Sequence, residues 1–253
     1  MSSKRRIAAI VAAAITALSA VCVCTAVGGY SVQKTAAKAT RKLPIYSVAR
    51  TDKAVAISFD CAWGVEHTDA ILDALEKNEI RCTFFAVQFW VEKYPEYAKK
   101  IVEAGHELGT HSKTHPYMSK LSKEAIDEEL SSSCKAIEKA TGVRPTLFRP
   151  PYGDYDDLLV ERASEQKLFT IQWDVDSLDW KNLSATEIAL RIINGVGSGS
   201  IILCHNNGLH TAEALPMVFS TLKNRGFSFL PIGELIYQSG YQIDHTGKQH
   251  PVQ

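Results

Sequence analysis

The sequence predicts an α/β fold with parallel strands, either an open doubly wound sheet or a barrel, preceded by an N-terminal membrane-spanning or signal segment. Three observations carry this. Seven short apolar runs alternate with amphipathic stretches over most of the 253 residues, and such alternation implies parallel strands with helices packed outside. The right-handed crossover rule leaves only the two sheet topologies named. Gly105, Gly142 and Gly226 each fall between an amphipathic stretch and the next apolar run, where a helix stop belongs.

The third observation concerns the start of the chain. Lys4, Arg5 and Arg6 precede an apolar run from Ile7 to about Val27, the layout of a charged region before a hydrophobic core. The run is close to the roughly 20 residues that span a bilayer as a helix, and the cationic cluster predicts a cytoplasmic N-terminus. Its length favours an uncleaved anchor over a cleaved signal peptide, although Ala36-Ala37-Lys38-Ala39 leaves cleavage open. The residues before Cys22 and Cys24 fit lipidation poorly. The remainder is expected outside the cytoplasm, held at the cell membrane by a single span or secreted. Residues 1–30 are the signal or anchor segment, 31–51 a polar, Lys-rich linker, 52–240 the folded domain and 241–253 a tail.

Within the domain the strand expectations are residues 54–60, 81–87, 107–110, 146–149, 169–173, 200–204 and 228–230. Helical patterns cover 67–78, 91–104, 122–141, 156–166, 185–196 and 211–225, and 232–238 closes the set. Lys+Arg and Asp+Glu are equal at 28 each, so no basic field points to nucleic acid and no acidic excess marks a disordered tail. Cys61, Cys82, Cys134 and Cys204 lack framework spacing, so reduced thiols are expected even in an exported chain.

Titratable residues collect at the expected strand ends. Asp60 ends the first strand, His111 and His115 follow the third, Arg149 ends the fourth, Asp176 and Asp179 follow the fifth, and His205 follows the sixth. In a parallel barrel those ends open onto one face, where active sites are built. His111 and His115, four apart, share one side of a helical turn and can share a metal, or are two exposed loop histidines. Asp60 is open to three readings: metal ligand, general base or strand-end cap. Arg149-Pro150-Pro151-Tyr152-Gly153 is a stiff turn, and the 174–180 stretch, ending in Trp180, is either a solvated loop or a groove wall. His205 alone reads equally as a core or a catalytic histidine.

Together these motifs resemble the polysaccharide deacetylases that share the chitooligosaccharide deacetylase homology domain, carbohydrate esterase family 4. All five family motifs occur in order: Ser58-Phe59-Asp60-Cys61, His111-Ser112-Lys113-Thr114-His115, Arg149-Pro150-Pro151-Tyr152-Gly153, Asp176-Ser177-Leu178-Asp179-Trp180 and Ile202-Leu203-Cys204-His205. With Ala62-Trp63-Gly64 the pattern is similar to the sporulation-associated branch of Gram-positive bacteria.

The resemblance implies an irregular (β/α)7-like barrel that removes N-acetyl groups from an amino-sugar polymer, most simply cell-wall peptidoglycan. It implies one divalent metal, zinc by preference with Co2+, Mn2+ or Ni2+ as alternatives, held by His111 and His115. Asp60 becomes the general base, Arg149 its orienting cation and His205 the general acid. Asp179, with Asp176 as second candidate, holds His205 protonated; the Tyr152 amide faces the oxyanion and Trp180 packs on sugar. One position departs, because Cys61 stands where the family's third metal ligand is a carboxylate. The thiolate binds metal, or Cys61 is a spectator, or the site has lost metal and activity; the last leaves a carbohydrate-binding protein. An acetyl ester is a further substrate class. Asn206 also replaces an acid that often follows the motif histidine.

Overall fold

The computed structural model describes residues 41–252, so the expected anchor, Cys22 and Cys24 lie outside the described residues. Among the described residues no helix is long and apolar enough to cross a membrane. At the centre is β2 (Ala54–Cys61), in which all eight residues are buried, as expected for a parallel strand covered on both faces. On one side follow β3 (Thr83–Ala86), β4 (Glu107–Thr110), β5 (Leu147–Phe148) and β6 (Phe169–Thr170); on the other lie β8 (Ile201–His205) and β7 (Val175–Asp176). Every neighbouring pair is parallel. β9 (Ser228–Phe229) pairs with the start of β2.

The connecting helices are α1 (Thr68–Lys77), α2 (Gln88–Lys93), α3 (Pro95–Glu103), α4 (Lys123–Thr141), α5 (Asp157–Glu165), α6 (Ala185–Gly195) and α7 (Thr211–Asn224); α8 (Ile232–Leu235) is a single turn. The α/β expectation is met: all seven anticipated strands form, and the parallel sheet curls into a half-barrel. Strand alternation separates two cores. Ile57, Phe59 and Cys61 join the cluster containing Ile71, Leu75 and Trp90 from the helices. Ala54 and Ala56 join Phe85, Leu147 and Ile201 in the other cluster. Cys61, Cys82, Cys134 and Cys204 are all free and buried, as their spacing suggests.

Three departures from the sequence expectation have local causes. The stretch 91–104 is two helices, because Tyr94 ends α2 and Pro95 starts α3, a position where proline's missing N–H costs nothing. The acidic stretch after β6 contributes a short strand, β7, because the Asp174 carboxylate accepts from Ile201 N (2.8 Å) and Ser200 Oγ (2.9 Å). Part of the expected linker and tail is built into the fold. β1 (Ser47–Val48), β10 (Tyr241–Ile243) and β11 (Lys248–Pro251) form a small sheet in the order β1-β11-β10.

Residues 45–48 also bridge the two flanks of the large sheet. Ile45 N donates to Thr170 O (2.9 Å), Gln172 N to Ile45 O (2.8 Å) and Val48 N to Gly199 O (2.9 Å). Gly199 makes this approach possible: its φ is +80°, and a Cβ there would stand 1.7 Å from the Val48 carbonyl oxygen. Gly199→Ala is therefore expected to push residues 45–48 off the sheet and to cost about 2–4 kcal/mol. A thermal melt of the domain checks this, and an unchanged midpoint would remove residues 45–48 from the core.

Candidate active site

Five strand ends converge on one cavity of about 460 Å³. Asp60 at the end of β2, His111 and His115 after β4, Tyr152 after β5, Asp176 in β7, Trp180 beyond it and His205 at the end of β8 all line it. Trp63, Trp173 and Asn207 complete part of the wall, and the sequence had not marked these as site residues. A bulky aromatic next to a glycine just past a strand end, as in Trp63-Gly64, was the available signal.

Arg149 lies beneath the cavity and is completely buried. Its Nη1 donates to Asp60 Oδ1 and to Ser58 Oγ, both at 2.8 Å, and its Nη2 to the Gln172 carbonyl at 3.2 Å. The guanidinium also sits 4.2 Å from the Phe85 ring centroid. Burial by itself would raise the Asp60 carboxyl, but the charge and hydrogen bond of Arg149, helped by the His205 charge, hold it below the usual carboxylate range. Asp60 is thus an ionised carboxylate with little of its own surface exposed.

The histidine pair comes together by a different route from the one expected. Residues 111–115 are not a helical turn: Ser112 has φ +74° and His115 φ +59°. Glu129 on α4 shapes the loop, because its carboxylate accepts from Lys113 N (2.8 Å), Thr114 N (2.8 Å) and Thr114 Oγ1 (2.6 Å). The rings still meet, with centroids 4.9 Å apart. The His111 Nδ1 pairs with the Arg149 carbonyl at 2.7 Å, which leaves Nε2 directed at Asp60 Oδ2, 3.5 Å away. Burial pushes the His111 pKa down, and burial with the neighbouring His111 takes His115 down to about 4.

Both imidazoles are therefore neutral at ordinary pH, the form that ligates metal. His115 Nδ1 is buried without a hydrogen-bond partner, an orphaned atom of the kind a ligated ion would satisfy. The pair fits a divalent ion held through two imidazoles, with solvent and substrate filling the other positions. A third protein donor is not grouped with them: among the described residues no three His, Cys, Asp or Glu side chains are arranged to hold a metal. Cys61 does not reach the cavity, since strand alternation places it with Ile57 and Phe59 in the helix-side cluster. Burial keeps its thiol well above the usual range, so the thiolate is disfavoured.

Across the cavity, His205 Nδ1 meets Asp179 Oδ1 at 2.7 Å. Asp179 is fully buried, and its Oδ2 also accepts from His205 N and Thr211 Oγ1, each at 2.7 Å. Burial lowers the His205 pKa, but the Asp179 hydrogen bond and charge outweigh it and the net shift is upward. Asp176, the second candidate for this partnership, instead accepts from Leu178 N at 2.8 Å while lining the cavity. Asn206 points elsewhere: its Nδ2 donates to Gly64 O (2.9 Å), which also accepts from Trp90 Nε1 (2.7 Å). It fastens the loop carrying Trp63 rather than altering the charge beside His205.

A family model for polysaccharide deacetylase matches residues 47–170. A peptidoglycan-N-acetylglucosamine deacetylase of Bacillus cereus is 32% identical over 196 residues, covering 76% of this chain and 92% of that protein. The peptidoglycan-N-acetylglucosamine deacetylase PgdA of Listeria monocytogenes is 34% identical over 220 residues, 87% of this chain but 46% of that protein. The chain spans between 46% and 60% of the length of several curated relatives it matches. Among solved structures, a carbohydrate esterase family 4 pseudoenzyme of Bacillus anthracis superposes with a TM-score of 0.74 at 34% identity, covering 82% of this chain and 72% of that one. A mutant of that pseudoenzyme, described as having restored enzymatic activity, superposes equally well at 37% identity over 76% of this chain and 70% of its own. With the five motifs gathered on one face and one 32%-identical relative matched over 92% of its length, this chain belongs to the polysaccharide deacetylase family.

Proposed function

We propose that this domain hydrolyses the N-acetyl group of amino sugars in cell-wall peptidoglycan, releasing acetate and a free amine. The observation that carries the reading is one cavity that joins Asp60, hydrogen-bonded to Arg149, and His205, hydrogen-bonded to Asp179, with the His111–His115 pair. Asp60, oriented by Arg149, is placed to take a proton from the attacking water. His205, whose Nδ1 is held by Asp179, has Nε2 left to protonate the departing nitrogen. A divalent ion held by His111 and His115, zinc by donor type with cobalt, manganese or nickel as alternatives, would supply Lewis-acid polarisation of the acetyl carbonyl. Cys61 is a spectator in this account, and Trp180 gives sugar an apolar wall. The curled sheet, bridged by residues 45–48, reads as an irregular (β/α)7 barrel. The cationic cluster and apolar run at residues 4–27 support a domain held or released outside the cytoplasm, near the wall.

A second reading has its own support. With two histidines and no third protein ligand grouped beside them among the described residues, a metal would have few protein donors to hold it, and a similar structure belongs to a pseudoenzyme. The domain would then bind the polymer without turning it over.

Acetate release decides between the two. The domain from residue 41 onward is incubated with N-acetylglucosamine oligomers and peptidoglycan, with and without added zinc or cobalt, using Asp60→Asn as the blank. Metal-dependent release above the blank is expected; sugar binding with no release from any substrate would establish the binding protein instead. Cys61→Ala should leave bound metal and turnover within about two-fold while costing about 1 kcal/mol of stability from lost packing. A fall in metal content would identify the thiolate as a ligand.

The pH profile tests the His205 pair. Because Asp179 raises the His205 pKa, the protonated form persists to higher pH, and activity that needs it is lost as pH rises through that pKa. Asp179→Asn removes the raising charge, so the alkaline limb of kcat is expected to move to lower pH with at least a 10-fold loss near neutrality. An unmoved alkaline limb would separate His205 from the protonation step.

A further inference from the structure

We propose that Tyr117, stacked on Tyr152, forms a second sugar-binding position outside the cavity, so that the site takes an oligomer rather than one amino-sugar unit. The inference rests on the amino-sugar reading above and adds a residue to it. Tyr117 does not line the cavity, and none of the five motifs includes it.

Tyr117 and Tyr152 are 56% and 55% exposed, high values for large aromatic side chains. They are not loose on the surface. Their ring centroids are 4.4 Å apart with planes 18° from parallel. Two residues after each tyrosine the backbones are clamped together, where Ser119 N and Oγ donate to the two Asp154 carboxylate oxygens at 2.8 and 2.9 Å. Next to Tyr117, Met118 is fully buried in the cluster containing Leu130, Phe148 and Leu159 and roots the turn. Tyr152 itself has φ +59°, a left-handed conformation that a residue with a Cβ adopts at a cost. A half-buried clamp and a strained backbone thus hold two exposed rings in register.

The rings also continue a path out of the cavity. His111 meets His115 at 4.9 Å, His115 meets Tyr152 edge-on at 4.6 Å, and Tyr152 meets Tyr117. The path begins at a buried imidazole and ends at an exposed phenol. Neither phenol hydroxyl hydrogen-bonds within the described residues, although Tyr46, Tyr97 and Tyr237 each use theirs. An apolar ring carrying a free hydroxyl matches a pyranose, which offers C–H groups on one face and hydroxyls around its rim. A polymer with one unit over the histidine pair would bring its neighbour across these two rings.

The test is a binding titration of N-acetylglucosamine oligomers, from dimer to pentamer, to the domain in the Asp60→Asn background, which stops turnover. Tyr117→Ala is expected to weaken the tetramer and pentamer by about 3- to 10-fold, the scale of one aromatic contact. Dimer binding should stay within about two-fold, and Tyr117→Phe should keep most of the long-oligomer affinity. A thermal melt shows whether Tyr117→Ala disturbs the fold; if it does, Tyr117→Ser is read in the same way. Equal losses for short and long oligomers, or no loss for any, would overturn the second position while leaving the amino-sugar reading standing. Failure of the Tyr117-bearing domain to bind any oligomer would overturn both.

Discussion

The arrangement of the site depends on one buried guanidinium. Arg149 has no exposed surface, yet it bonds Ser58 and Asp60 from β2 and the Gln172 carbonyl just past β6, and it lies against the Phe85 ring of β3. Taking such a charge out of water costs several kcal/mol, recovered only when a counter-charge and further hydrogen bonds meet it in good geometry. Asp60 is that counter-charge, and the pair holds several strand ends in fixed relation. The Arg149 carbonyl also meets His111 Nδ1 at 2.7 Å. One residue therefore keeps the base ionised through its side chain and sets the imidazole orientation through its backbone.

Around that pair, three carboxylates hold strained loops in place. Ser112, His115, Tyr152, Leu178 and Asn182 all have positive φ, and each belongs to a loop bordering the cavity. Glu129 gathers the amides of the histidine loop, Asp154 ties the two tyrosine loops together, and Asp179 joins His205 to Thr211 at the start of α7. A non-glycine residue in the left-handed region persists only where its surroundings over-determine it. The curled sheet supplies the frame, and these carboxylates turn flexible loop chemistry into fixed positions.

Cys61 is the point at which this chain parts from the family pattern. A carboxylate there would have to turn toward the histidines, whereas the thiol packs with Ile57 and Phe59 against the helices. The substitution trades a charged donor for a buried apolar contact. It removes one candidate ligand without disturbing Asp60, Arg149 or the His205–Asp179 pair, all of which keep close hydrogen bonds. On the proposed reading, the groups that would move protons keep their partners, while any metal would have one protein donor fewer. An enzyme with a weakly held ion and a sugar-binding relative of enzymes share that description, and the amount of metal retained separates them.

The local pattern of the sequence was enough for the seven strands, their parallel sense and the collection of Asp60, His111, Arg149 and His205 at strand ends, because periodicity and strand-end placement are properties of short segments. The departure at Cys61 was equally visible, since it is a change of residue type. Contacts between distant segments were not visible. The histidine pair looked helical by its spacing, but Glu129 from α4 bends that loop by accepting its amides. Asp179 stood ahead of Asp176 as the partner of His205 only by family resemblance, and the fold puts Asp179 at 2.7 Å from His205. Residues 45–48 read as linker because four residues carry little periodicity, and the amides of Ile45, Tyr46 and Val48 find their partners in the distant carbonyls of Thr170, Gly247 and Gly199. Tyr117 likewise gained its place from a clamp across 35 residues of chain. Spacing along a chain specifies which elements form, while long-range hydrogen bonds and close packing decide which side chains meet.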